Sequence, residues 1–199
     1  NKALASLDKQ LKALGAQLVT RYGSAVEVLD RLHSEVQYER IVSHQETGNF
    51  VTFQRDKAVR RWVRDKGVQW DEFVQDGVIR GLKSRDGWSR KWDAFMRSAV
   101  VQAPTSLHEV GGLHSEGIME ATQLGVDGHE LGDAWVEPAD AHQTLESFLH
   151  VRGERYQSEM SSPITAERSC SRMSPHLTYG TISKRTVFQR FEARREEVR

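Results

Sequence analysis

Leucines at positions 4, 7, 11 and 14 recur at the spacing that stacks side chains on one helical face, and Gly15 follows as a stop. Residues 2–14 are therefore predicted to form an amphipathic helix. The period then shortens: residues 17–21 (QLVTR) are rich in strand formers and read as a strand. Ser24, followed three residues later by Glu27, reads as a capping box before the apolar positions Val28, Leu29 and Leu32 of a second helix. Residues 40–44 (RIVSH) are again strand-like. Ala58, Val59, Trp62 and Val63 share one helical face across residues 52–66, Gly67 closes that helix, and residues 68–74 (VQWDEFV) are the next strand candidate. Helices alternating with short strands are the pattern of a parallel α/β layer. Such a layer normally opens with a strand. Here a helix comes first and Asn1 is not an initiator Met, so a first strand is expected to precede the chain.

The pattern breaks at residue 98. No Lys or Arg occurs from 98 to 151, while nine Asp and Glu fall between Glu109 and Glu146, and Gly111, Gly112, Gly117, Gly125, Gly128 and Gly132 punctuate the stretch. Residues 98–139 thus read as a long, acidic, largely irregular connector with one short helix. Helical spacing returns over 141–159 through Leu145, Phe148, Leu149 and Tyr156, and a last helix starts near Lys184 behind Ser183 as its cap. The organisation expected is an α/β domain over 1–97, a connector over 98–139, and an all-helical domain that begins at 140 and is cut off at 199.

Composition narrows the function classes. The 28 Lys and Arg equal the 28 Asp and Glu, so net charge gives no general argument for a nucleic-acid or membrane partner. One cysteine, Cys170, cannot build a disulfide framework or a zinc site, which favours a reducing, cytoplasmic setting. No apolar run approaches a membrane span.

The sharpest local feature is residues 169–174 (SCSRMS) before Pro175. Ser174 reads as an N-cap with Pro175 at the first helical position. Free backbone donors and the hydroxyls of Ser171 and Ser174 would then face an anion, so a phosphate site is one reading and a plain helix cap the other. Two basic segments also have two readings. Arg80, Lys83, Arg85, Arg90, Lys91 and Arg97 surround Trp88 and Trp92, and Lys184, Arg185, Arg190, Arg194, Arg195 and Arg199 lie on the last helix. Each is either an electropositive face or a solvated face of paired charges. Core packing is the expectation for most of the tryptophans at 62, 70, 88, 92 and 135. Residues 129–133 (HELGD) touch a metal-binding pattern, but the surrounding glycines disfavour the helix it needs, and no metal is expected.

Residues 170–183 (CSRMSPHLTYGTIS), preceded by Tyr156 and the Ser162-Pro163 turn, resemble the start of the flavin-binding helical domain of the DNA photolyase and cryptochrome family. Residues 19–29, Arg55-Asp56, residues 83–88 and Trp92 resemble the antenna-type α/β domain of a bacterial branch of that family. The resemblance implies a Rossmann-like parallel sheet followed by the helical FAD domain. It implies that Tyr156 contacts the flavin and that Cys170, Ser171, Arg172, Met173 and Ser174 wrap the FAD diphosphate. Cys170 stands where threonine is usual, and Met160 stands near the place of an arginine that contacts DNA. The implied parent is a monomeric, deoxyribodipyrimidine photolyase-like lyase: reduced FAD, excited by blue light, repairs cyclobutane pyrimidine dimers in DNA, and a second antenna chromophore of unspecified identity feeds it energy. A cryptochrome-like photoreceptor is the alternative, and a nucleotide-binding regulatory module the reading independent of the family. The electron-relay and lesion-facing positions are expected after residue 199, so residues 1–199 alone are expected to bind FAD weakly.

Overall fold

A computed structural model of the chain describes residues 1–125 and 141–198. These fall into two compact units. One, bearing the sheet, comprises Leu11–Phe95 and Ala103–Ile118; the other, helical, comprises Asn1–Gln10, Met96–Gln102 and Met119–Arg199. Helix α1 (Lys2–Ala13) forms where the leucine spacing predicts it, although Leu4 and Leu7 remain exposed.

In the sheet-bearing unit, α2 (Ala25–Val36) precedes a βαβ crossover of β1 (Arg40–His44), α3 (Phe50–Lys66) and β2 (Gln69–Phe73). The strands pair in parallel, with Ile41 opposite Trp70 and His44 opposite Phe73. Parallel strands cannot be joined by a hairpin, so the long α3 carries the chain back. Its ends follow from local chemistry. The Asn49 Oδ1 accepts from the N–H groups of Val51 and Thr52 at 3.0 and 3.1 Å, and Gly67, at φ 71°, takes the left-handed conformation that closes the last turn. Ser24 caps α2 as predicted by accepting from the Glu27 N–H at 3.4 Å.

The buried face of α3 supplies Val59, Trp62 and Val63, which with Val68 form the core against Ala25, Val26, Leu29, Tyr38, Ile41 and Trp70. Polar tips of the two packed tryptophans are satisfied: Trp62 Nε1 donates to Asp30 Oδ1 and Trp70 Nε1 to Ser43 Oγ, each at 3.0 Å. Trp88 and Trp92 stack in a tilted pair 6.3 Å apart, and Trp135 lies outside the described residues.

Residues 17–21 correct the strand expectation. They carry no strand pairing; instead Thr20 accepts from the Glu116 N–H at 3.0 Å and donates its own N–H to Ser115 Oγ at 3.1 Å. A strand needs a repeating ladder of backbone partners, and residues 115–117 answer it mainly through side chains.

Residues 98–120 form neither helix nor strand, and one 3₁₀ turn follows at Ala121–Leu124; residues 126–139, including the 129–133 motif, lie outside the described residues. Helix α4 (Trp88–Arg97) precedes it. The single helix predicted over 141–159 is instead broken into α5 (Ala141–His150), a 3₁₀ turn at Arg152–Arg155 and α6 (Tyr156–Glu159). Val151, at φ −135° and ψ −68°, leaves the helical region between them. A Cβ on Gly153 would stand 2.6 Å from the Phe148 carbonyl oxygen, so the chain folds back there closely enough to require glycine. After α7 (Ala166–Ser169) and α8 (Ser174–Tyr179), α9 (Lys184–Glu197) starts behind Ser183, whose Oγ accepts from the Thr186 N–H at 2.9 Å. Leu145 and Ala141, each 1% exposed, pack with Met173 and Ile182 as the core of this unit.

Candidate functional site

The serine turn links α7 to α8. Ser174 is not the N-cap the sequence suggests: the helix begins at Ser174, Met173 holds the cap position at φ −81° and ψ −14°, and no side chain caps it. The reason lies one step earlier. Arg172 adopts a left-handed φ of 59°, which turns the chain before Met173, and Ser171 Oγ accepts from the Met173 N–H at 3.4 Å. At six residues, α8 is too short for its dipole to define an anion site, so any phosphate chemistry belongs to the turn itself. Gly180, at φ 69°, ends α8 as the motif implies.

The other predicted site residues are disposed as follows. Met173 sends its side chain into the core, 3% exposed, leaving only its backbone to the turn. Cys170 is a half-buried free thiol. Arg172 is exposed and pairs with Glu167 Oε1 at 3.1 Å, and Ser174 is exposed. Neither the Ser171 nor the Arg172 N–H meets an acceptor among the described residues. Tyr156 is 38% exposed and meets Phe148 edge to face at 5.8 Å.

Sequence reasoning missed the residue that joins these parts. Arg152 sits under the turn, donating to the carbonyl oxygens of Cys170, Ser171 (3.2 Å) and Thr144 (2.8 Å) and to Ser147 Oγ (2.7 Å). Its guanidinium also lies over the Phe148 ring at 5.9 Å, so Tyr156 reaches the turn through Phe148 and Arg152. Burial, then the nearby Arg172 charge, holds Arg152 below the ordinary arginine range, with Cys170 opposing. The available signal was an arginine, the first Lys or Arg after residue 97, followed directly by Gly153.

The two basic segments prove to be substantially internal pairings. Arg80 contacts Glu72 at 2.8 Å and Asp56 at 3.2 Å, and Arg97 contacts Glu192 at 2.7 Å. On α9, Arg190 pairs with Glu146, Arg194 with Glu197 and Arg195 with Glu192. Lys83, Arg85, Arg90 and Lys91 are exposed. Asp56 is a buried carboxylate held by Arg55 at 3.0 Å and Arg80, which accounts structurally for the Arg55-Asp56 pair. A cavity of about 460 Å³ opens beyond the carboxyl end of β1, where loops of a parallel sheet ordinarily hold ligands; Asn49, Phe50, Phe53, Val78 and Arg80 line it. Among the described residues no cluster of His, Cys, Asp and Glu is placed to hold a metal, and no helix is long and apolar enough to cross a membrane.

Residues 1–81 match the family model described as DNA photolyase. A curated relative, the deoxyribodipyrimidine photo-lyase of Halobacterium salinarum, is 28% identical over 214 residues, covering 98% of this chain and 43% of the relative. The fold is shared with a bacterial class III photolyase from Agrobacterium tumefaciens (TM-score 0.73, 22% identity, 94% of this chain and 42% of that one). It is shared also with a Synechocystis cryptochrome (TM-score 0.75, 14% identity, 98% and 44%). An archaeal photolyase from Sulfolobus tokodaii, solved with two FAD molecules, gives a TM-score of 0.64 at 18% identity (99% and 44%). The chain thus spans less than half the length of these proteins. Residues 1–81 thus resemble the DNA photolyase family, and the chain shares the fold of photolyases and of a cryptochrome over nearly its whole length.

Proposed function

We propose that the intact protein is a deoxyribodipyrimidine photolyase-like lyase that binds FAD and uses blue light to repair cyclobutane pyrimidine dimers in DNA. The reading is carried by one observation: the serine turn, with two peptide N–H groups that meet no acceptor among the described residues, lies in a chain that aligns over 98% of its length with a photo-lyase. A diphosphate needs hydrogen-bond donors. The turn meets this with the Ser171 and Arg172 N–H groups, the Ser171 and Ser174 hydroxyls and the Arg172 guanidinium, which would leave Glu167 for the phosphate. Cys170 would contribute through its backbone. Tyr156, exposed beside Phe148, would contact the flavin. When bound and reduced, FAD supplies the photoexcited electron donor; the residues of this chain bind its phosphates and fix its orientation.

In this reading residues 1–97 form the antenna-type domain, 98–139 the connector and 140–199 the start of the FAD domain. The cavity at the end of β1 is the candidate for the second chromophore. The protein would act as a cytoplasmic monomer on dimer-containing DNA. Met160, 44% exposed near the place of a DNA-contacting arginine, favours the cryptochrome-like photoreceptor as the second reading. Illuminating dimer-containing DNA with the intact protein separates the two. Loss of dimers in light alone is expected; intact dimers with reduced FAD bound would refute repair and leave the photoreceptor.

A further inference from the structure

We propose that Arg152 is the positioning residue of the serine turn, holding its peptides with their N–H groups turned outward for an anion before any ligand arrives. The inference rests on reading the turn as the FAD diphosphate site. Its geometry follows from peptide planarity: the C=O of one residue and the N–H of the next are fixed on opposite sides of the same plane. Arg152 grips the carbonyl oxygens of Cys170 and Ser171, which belong to the peptides carrying the Ser171 and Arg172 N–H groups. Anchoring both oxygens on one side therefore presents both donors on the other. These two N–H groups have no acceptor among the described residues. The adjoining left-handed φ at Arg172 and right-handed geometry at Met173 complete a concave run of backbone donors of the kind that binds anions.

The guanidinium suits this task because its planar fork reaches several acceptors in fixed directions. Its other two partners, the Thr144 carbonyl and the Ser147 hydroxyl, belong to α5, so the turn is tied to a ten-residue helix. A left-handed, non-glycine residue is strained and persists only where its surroundings hold it. Arg152 supplies that hold from beneath, while Met173 supplies it from the core.

The test uses the intact protein with Arg152→Lys, which keeps a charge but loses the fork, and Arg152→Ala, which leaves room for free guanidinium. The thiol of Cys170 reports the turn without any cofactor, through its alkylation rate followed by peptide mass spectrometry in flavin-free protein. Both variants should alkylate at Cys170 about tenfold faster than the parent and bind FAD about tenfold or more weakly. Millimolar guanidinium, but not urea, should restore both in Arg152→Ala. Circular dichroism and the exchange of α5 amides check that the variants fold, which separates a loosened turn from a lost domain. An unchanged Cys170 rate in folded variants overturns the inference whatever FAD does. A faster Cys170 rate with unchanged FAD affinity supports Arg152 as the holder of the turn and refutes the turn as the flavin site.

Discussion

Two serines that look alike in the sequence should behave differently when truncated. Each reads from the sequence as the cap of a following helix, and a serine N-cap is worth about 0.5–2 kcal/mol over alanine, typically about 1. Ser183 has the geometry of a cap: φ −76°, ψ 143°, and an Oγ that accepts from the Thr186 N–H at 2.9 Å. Ser174 lies inside α8 and caps nothing. Ser183→Ala should therefore cost about 1 kcal/mol locally, and Ser174→Ala less than about 0.5 kcal/mol, the range of an ordinary exposed substitution. Amide hydrogen exchange in the flavin-free intact protein reads each helix start separately. The Val187 N–H bonds the Ser183 carbonyl and the Leu177 N–H bonds the Met173 carbonyl, so these two amides are the reporters. Ser183→Ala should speed Val187 exchange about fivefold, whereas Ser174→Ala should change Leu177 exchange by less than about twofold. FAD affinity should show the reverse order, falling with Ser174→Ala and holding with Ser183→Ala. Equal acceleration at the two reporters would mean that Ser174 is a structural cap after all, and the assignment of its hydroxyl to a ligand would lose its basis.

Leu145, 1% exposed against Met173 and Ile182, should cost about 2–5 kcal/mol when cut to alanine, read as a lower denaturant midpoint of the helical unit. Arg190, aided by His150, holds the Glu146 carboxyl below its ordinary range despite some burial. A depressed folded-state value means that its stabilising share is complete above about pH 4.3 and lost as pH falls further, so melts across that range should lose less stability in Glu146→Gln than in the parent. Burial, with Asp30 adding, pushes the Tyr38 phenol up to about 12, and its hydroxyl donates to the Leu29 carbonyl at 2.7 Å. A raised value keeps its contribution intact below about pH 10 and removes it as pH climbs toward 12. Ultraviolet titration should show one tyrosinate transition delayed beyond the rest, and Tyr38→Phe should abolish it.

The elements of the sheet-bearing unit were legible because they are set locally. Asn49 and Gly67 close α3, and its face at Val59, Trp62 and Val63 repeats at helical spacing, so periodicity and caps agree. Residues 17–21 show where this reasoning fails. Strand propensity was present, but pairing is a property of the neighbour, and the neighbour 95 residues away offers Ser115 Oγ instead of a ladder. The break at Val151 was hidden for a related reason. Leu145, Phe148, Leu149 and Tyr156 fit one helix by spacing, yet Phe148 and Tyr156 meet because the chain bends between them. The serine turn was recognisable by its residues, while its conformation was not: Arg172 at positive φ has no propensity signal, and the arginine beneath it lies 18 residues upstream of Cys170.

Charge pairing explains how a chain of zero formal net charge could present the anion site proposed at the serine turn. Many arginines are committed to carboxylates or carbonyls, as Arg80 is to Glu72 and Asp56 and Arg190 to Glu146. An excess of free cations would attract polyanions with little regard to shape. Oriented peptide N–H groups act differently, because their partial charges are fixed in direction and reach only a group that fits the concavity. Arg152 belongs to this second mode: it is spent on carbonyl oxygens rather than on a ligand, and its positive charge acts through the peptides it aligns. Loss of that alignment would leave the local charge of the turn almost unchanged wherever lysine replaced it, so a drop in phosphate affinity in Arg152→Lys would have to come from geometry rather than from charge.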